Sequence, residues 1–280
     1  MVSLVHFVFG AFMLKNQIRI TYRRTRRKLE KLLGGYAAEV GMYSTYPFRQ
    51  KHEPRIKFAI FTYQRTGSTL LIDLLNSHPQ IDCDGEILLN RMYSPSKYLQ
   101  YRTNLTKNSA YGFKLQTSHL EYQRFQNPEI FVNNIYKSGF NLIKLVRRDL
   151  WRTAISLQYA TSSQKFHFKN SHQGPQLPNV HIEPQDLLDK FVWIINQTRL
   201  LDQITKDLPH LNLVYEDDLL NNERHQITIA RICDYIGIDA APVKSDYIKG
   251  TTSDPMNFIT NREELLEYVL NSEYGQYISS

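Results

Sequence analysis

Lys57-Phe58-Ala59-Ile60-Phe61-Thr62 runs directly into Tyr63-Gln64-Arg65-Thr66-Gly67-Ser68-Thr69, and that stretch into Leu70-Leu71-Ile72-Asp73-Leu74-Leu75. After Lys57, the residues Phe58 to Thr62 are apolar, aromatic or branched; the run follows Pro54 and reads as a buried strand. Leu70, Leu71, Leu74 and Leu75 recur at helical spacing until Ser77-His78-Pro79 stops them. Between the two lies a turn rich in hydroxyls with one glycine. The pattern is strand, polar turn, helix.

Working outward, the same unit recurs. Tyr111 to Gln116 and Asn141 to Val146 read as strands, and the second leads into a helix from Asp149 to about Thr161. Ser162 to Glu183, with Gly174, Pro175 and Pro178, reads as a surface loop. A helix from Gln185 to Lys206, a strand from Leu211 to Tyr215 and a helix from Asn222 to Ile236 follow. Short apolar strands alternating with helices predict an α/β domain, three-layered and P-loop-like, with a mainly parallel central sheet flanked by helices. Gly34, Gly35, Pro47 and Pro54 mark a hinge, which divides the 280 residues into an arm, 1–50, and a body, 51–280.

The chain carries a net charge of +7. Between Lys15 and Lys31 stand eight basic residues and one acid, Glu30, so this short run accounts for the whole excess. The body is therefore formally neutral, which weighs against a polynucleotide groove spread over the folded face. Met1 to Leu14 is mostly apolar, but fourteen residues fall short of the roughly 20 that span a bilayer. A signal peptide would place its charges before the apolar stretch, and here they follow it. Residues 1–31 read equally well as an interfacial element on an anionic membrane surface and as a helix packed on the body. Cys83 and Cys233 stand alone and far apart, too few for a disulfide framework or structural zinc, which points to a reducing, cytoplasmic compartment.

Ligands in a parallel sheet bind beyond the carboxyl ends of its strands, where helix N-termini offer unpaired N–H groups. Arg65 to Thr69 falls at such a place: its amides suit a phosphate, Thr66, Ser68 and Thr69 offer hydroxyls, and Arg65 offers a fork of donors. Taken singly, Thr66 or Ser68 is more simply an N-cap. A second junction, Val146-Arg147-Arg148-Asp149, precedes Ser156. Eight residues separate Arg148 from Ser156, about 80° around a helix, so both can face one anion. Alone, Arg148 is as simply a partner for a surface acid.

Together these motifs resemble the family of sulfotransferases that use 3′-phosphoadenosine-5′-phosphosulfate (PAPS). Tyr63 to Thr69 is similar to that family's phosphosulfate loop, and Leu145 to Asp149 with Ser156 to its 3′-phosphate motif. Val214 to Leu219 and Asn257 to Asn261 match more loosely. The details look most like the bacterial carbohydrate sulfotransferases that act on trehalose or Nod-factor glycolipids. The resemblance implies transfer of a sulfuryl group from PAPS to a hydroxyl of a small-molecule, carbohydrate or glycolipid acceptor, leaving PAP, with no metal. It implies that Arg65 neutralises the leaving phosphate, that Thr66, Gly67, Ser68 and Thr69 hold the phosphosulfate, and that Arg148 and Ser156 hold the 3′-phosphate. Where the cytosolic enzymes place an adenine-stacking Trp, this chain has Leu70. Their Lys-Thr-His element does not carry over, because Lys114 and His119 are five apart. Glu86, in Asp82-Cys83-Asp84-Gly85-Glu86, takes the place of the glutamate base of the carbohydrate-type enzymes. A base in that role is expected to have its pKa raised by partial burial.

Two other classes compete. A P-loop kinase needs Gly, four residues, then Gly-Lys-Ser/Thr, but Thr62 stands at the leading glycine's place and Ser68 at the lysine's. A noncatalytic module binding nucleotides or sulfated glycans through the basic arm would leave both anion motifs of the body without a role.

Overall fold

The computed structural model describes residues 34–46, 53–163, 178–245 and 255–278. The apolar and basic stretch 1–31 lies outside them, as does most of the expected loop between Ser162 and Glu183. The first described element is a helix, α1, over residues 34–45. Then follow β1 (Ile56–Thr62), α2 (Ser68–Asn76), β2 (Ile81–Asp84), α3 (Pro95–Thr103), β3 (Ala110–Gln116), α4 (Thr117–Gln123) and α5 (Pro128–Lys137). The second half comprises β4 (Phe140–Val146), α6 (Leu150–Ser163), α7 (Pro184–Thr205), β5 (His210–Val214), α8 (Tyr215–Asp218), α9 (Asn222–Ile236) and α10 (Arg262–Leu270).

The five strands form one parallel sheet in the order β2-β3-β1-β4-β5. The strand read first in the sequence is the central one, and burial on both faces explains its unbroken apolar character. Alternate side chains serve opposite layers: Phe58 and Ile60 pack with α2 and α9, whereas Ala59 and Phe61 pack with α5, α6 and α7. These are the three layers of the expected α/β fold. From β1 the chain passes through α2 towards β2, and from β4 through α6 and α7 towards β5, in opposite directions across the sheet. The carboxyl ends of β1 and β4 therefore flank a topological switch point, where such sheets open a crevice.

Several elements were not read from the sequence, among them β2 and α4. Ile81-Asp82-Cys83-Asp84 is short and half acidic, yet it pairs in register with β3. Its carboxylates are satisfied from the side: Asp82 accepts from Thr106 at 3.0 Å, and Asp84 from Arg102 at 2.6 Å and Tyr111 at 2.7 Å. Among the described residues no helix is long and apolar enough to cross a membrane.

Helix α1 is docked against the start of α3. Glu39 is fully buried, and its carboxylate accepts the backbone N–H groups of Tyr93 at 2.6 Å and Ser94 at 2.8 Å, just ahead of α3, and the Tyr43 hydroxyl. Tyr36 lies against Tyr93, and Tyr46 stacks on Tyr101, with centroids 4.1 and 4.0 Å apart. Glu39→Ala would leave two backbone donors without their charged acceptor. It is expected to lower the unfolding free energy by about 1.5–3 kcal/mol in urea titration; a loss within about 0.5 kcal/mol, the usual range of surface substitutions, would show that α1 does not depend on this contact.

Candidate active site

The turn after β1 is fastened before it reaches α2. The Thr62 hydroxyl donates to the Leu145 carbonyl of β4 at 2.8 Å and meets the Thr66 hydroxyl at 2.6 Å. The Tyr63 phenol, buried between β1 and β4, donates to the Arg147 carbonyl at 2.7 Å and accepts the Arg147 N–H at 3.0 Å. Arg65 (φ 65°) and Gly67 (φ 80°) are both left-handed, which curls the chain so that α2 begins abruptly at Ser68. Gly67 is required twice over, because a Cβ there would lie 2.6 Å from the Tyr215 ring as well as in a strained conformation.

No side chain caps α2. Thr66, one of the two capping candidates, is fully buried with its hydroxyl turned back to Thr62, so only its backbone is placed to serve a ligand. The start of α2 thus keeps the donors that a phosphate would use. Above it, the Arg65 Nε donates to Ser156 Oγ at 2.9 Å, and Arg147 Nη1 donates to the Arg65 carbonyl at 3.3 Å. Burial, and then the neighbouring charge of Arg147, push the Arg65 guanidinium down to about 10. Two like charges are being held together in a partly dehydrated place.

The second junction differs from its expected use. Arg148 is exposed and reaches outward to Asp217 at 2.6 Å. The N–H groups of Arg148 and Asp149, which open α6, are held by the Glu216 carboxylate at 2.9 and 3.3 Å. Ser156 faces Arg65 instead of Arg148. The helical spacing is as expected, but Glu216 and Asp217 of α8 compete for the same donors, and only the fold brings them there. Inward of Arg148, Arg147 lies with its guanidinium 4.9 Å from the Tyr215 ring and its Nε 3.7 Å from Glu216. Arg147 is therefore the arginine beside the β1 turn, which motif spacing alone did not single out. Leu70, itself on α2, packs with the cluster shared with α9; Tyr215, not residue 70, is the aromatic ring against the turn.

Glu86 lies one strand away. Thr62 and Gln116 are paired at the ends of β1 and β3. Glu86 follows β2 and accepts from Lys114 Nζ at 2.9 Å and from Gln116 Nε2 at 3.0 Å. The His119 Nε2 stands 3.7 Å from its other oxygen, beyond hydrogen-bond distance, while the His119 Nδ1 accepts the Gln116 N–H at 3.2 Å. Lys114 and His119 are buried. Burial would raise the Glu86 carboxyl, but His119 first and Lys114 next outweigh it and hold the group at about 2. The expected upward shift is thus reversed, first by His119 and then by Lys114, whose ammonium turns inward to the carboxylate. The segment beyond is braced by Gln123, which donates to the Leu88 and Asn90 carbonyls at 2.9 and 2.6 Å and accepts the Met92 N–H at 3.0 Å.

The arrangement combines an uncapped helix start, two adjacent arginines and, against the end of the neighbouring strand β3, an ionised carboxylate. It can hold a polyanion by one end and take a proton from a nucleophile approaching the other. Among the described residues no group of three His, Cys, Asp or Glu side chains could hold a metal ion. A cavity of about 370 Å³ opens at the opposite, amino-terminal end of the strands, beside Lys57, Leu99 and Phe131, away from all these groups.

No protein-family model and no curated protein matches the chain. Among solved structures it is similar to mouse sulfotransferase SULT7A1 complexed with PAP, at 17% identity over 84% of this chain and 92% of that one, with a TM-score of 0.45. It is also similar to a sulfotransferase from Alicyclobacillus acidocaldarius, at 12% identity over 81% and 94%, again with a TM-score of 0.45.

Proposed function

We propose that this protein is a sulfotransferase that moves the sulfuryl group of PAPS to a hydroxyl of a carbohydrate or glycolipid acceptor. One observation carries the proposal: Arg65 and Arg147 crowd positive charge over the uncapped start of α2, beyond the end of β1, while Glu86 lies at the end of the neighbouring β3. Such crowding is costly without an anion and favourable with one. The Ser68 to Leu70 amides and Arg65 hold the 5′-phosphosulfate, and Ser156 extends the site along α6. The 3′-phosphate falls to Arg148 once it exchanges Asp217 for the ligand.

In the reaction, the acceptor oxygen forms a bond to sulfur as the bond from sulfur to the bridging phosphate oxygen breaks. That bonding pair leaves with the 5′-phosphate of PAP, where Arg65 meets the growing charge. The acceptor proton passes to Glu86. A carboxylate held at about 2 is a weak base towards a free alcohol. It is an adequate one late in the transfer, when the hydroxyl oxygen is already bonded to sulfur and strongly acidic. Lys114 and Gln116 fix the carboxylate's direction.

Residues 1–31, apolar and then basic, suit contact with an anionic membrane surface, which favours a glycolipid acceptor. The test is incubation with labelled PAPS and a combined lipid and glycan extract, with ATP and EDTA in parallel, followed by mass spectrometry of labelled products. A sulfated lipid is expected, formed equally in EDTA. Label confined to water-soluble glycans would remove the membrane contact from the proposal. Transfer from ATP alone, abolished by EDTA, would replace it with the kinase reading.

A further inference from the structure

Arg147 is the group at this site that neither packing nor the motif accounts for. Its backbone is fully employed, since the N–H and the carbonyl both engage the Tyr63 phenol. Its side chain is not. Nε is buried and makes no hydrogen bond, and the nearest carboxylate oxygen, on Glu216, is 3.7 Å away and already accepts from a backbone N–H. One Nη1 reaches the Arg65 carbonyl with a long 3.3 Å contact. The guanidinium otherwise rests on the Tyr215 ring, which itself lies on Gly67 at the turn. Stacking on an aromatic face leaves the in-plane donors of an arginine free for a planar or tetrahedral oxyanion.

The location is equally specific. Arg147 ends the β4 side of the crevice and Arg65 the β1 side; burial first, and then this proximity, lowers the Arg65 guanidinium. A half-buried arginine whose buried Nε makes no hydrogen bond, beside a second arginine, is poorly solvated and internally repelled. Both costs fall when an anion enters between them. Arg148, by contrast, is exposed and already neutralised by Asp217.

We infer that Arg147 is a second donor-binding arginine, held over the β1 turn by Tyr215, and that it shares with Arg65 the phosphate that becomes the leaving group. The inference rests on the sulfotransferase reading for the identity of the donor, though not for the presence of a bound phosphate. The test is calorimetric titration of the full-length protein with PAP and, separately, with inorganic pyrophosphate, for wild type, Arg147→Ala and Arg147→Lys. Each protein's melting temperature is measured with and without ligand.

Arg147→Ala is expected to weaken PAP binding about 10- to 100-fold, the worth of a charge-assisted hydrogen bond. Arg147→Lys should recover part of that, keeping the charge but losing the flat fork. The ligand-free melting temperature of Arg147→Ala should hold or rise, because a like charge next to Arg65 is gone. A purely structural arginine would lower it. Arg147→Ala that folds and binds both ligands within about threefold of wild type, less than the loss of one such bond, overturns the inference and leaves the function standing. Wild type that binds pyrophosphate but not PAP sinks the donor assignment, and Arg147 is then judged on pyrophosphate. Wild type that binds neither sinks both.

Discussion

Glu86→Gln is expected to reduce turnover by roughly 10²–10⁴-fold, the range for removing a positioned general base. PAP affinity should be unchanged, because Glu86 touches the acceptor side of the site. The amide keeps an oxygen for Lys114 but carries no charge, so a buried ammonium loses its counterion. Some stability will go with it. Turnover must therefore be measured well below the variant's own melting temperature, with PAP binding as the check on folding. A variant that folds, binds PAP and keeps more than about a tenth of wild-type turnover, outside that range, would move the role to His119.

The pH profile separates the same two residues. Since the Glu86 carboxyl is held at about 2, it is ionised throughout the neutral and mildly acidic range. No acid limb from Glu86 should appear in turnover between about pH 5 and 8, whereas a base that titrates within that range would give one. The stability consequence has a definite sign. A carboxyl held lower in the folded than in the unfolded chain stabilises above the unfolded value, and that contribution is lost as pH falls from about 4.5 to about 2. Glu86→Gln should remove this part of the acid sensitivity, read as a flatter dependence of melting temperature on pH below 5.

Arg65→Gly is expected to separate activity from stability. Turnover should fall at least about 100-fold, as when one transition-state donor to developing negative charge is removed. Stability should stay within about 1 kcal/mol of wild type. The residue stands at φ 65°, where a side chain costs about 1–2 kcal/mol that glycine does not incur. Its guanidinium is also buried against Arg147, a cost that vanishes with it. Against these stands the lost bond to Ser156. Urea titration and steady-state kinetics decide the matter: a variant that loses several kcal/mol of stability while its folded fraction turns over normally would make Arg65 a structural residue of the turn.

Much of this site was legible because its signals are local. The run from Lys57 to Thr62 is apolar without alternation because β1 is central and buried on both faces. Gly67 and the hydroxyls around it mark a turn that only a few residue types can make. The short strand Ile81–Asp84 escaped notice because its acids are paid for by Arg102, Tyr111 and Thr106, none of them adjacent in sequence. Thr66 was read as a candidate cap and proves to be a brace, since which way a hydroxyl turns depends on Thr62 across the turn.

By itself the sequence determined the strand, turn and helix after Lys57, the parallel α/β class, and the placing of Arg65 and of the Arg147-Arg148 pair at strand ends. Those follow from backbone preference and hydrophobic period, which act over a few residues. The tertiary structure decided which arginine faces the crevice, since Glu216 and Asp217 draw Arg148 away and Tyr215 holds Arg147 in place. It decided that Lys114, Gln116 and His119 surround Glu86 and hold its charge on. It also decided that Glu39 ties the helix 34–45 to the body. Each of these is an electrostatic choice among partners distant in sequence. Charge and hydrogen bonding act through the distances that the finished fold sets, and no spacing along the chain encodes them.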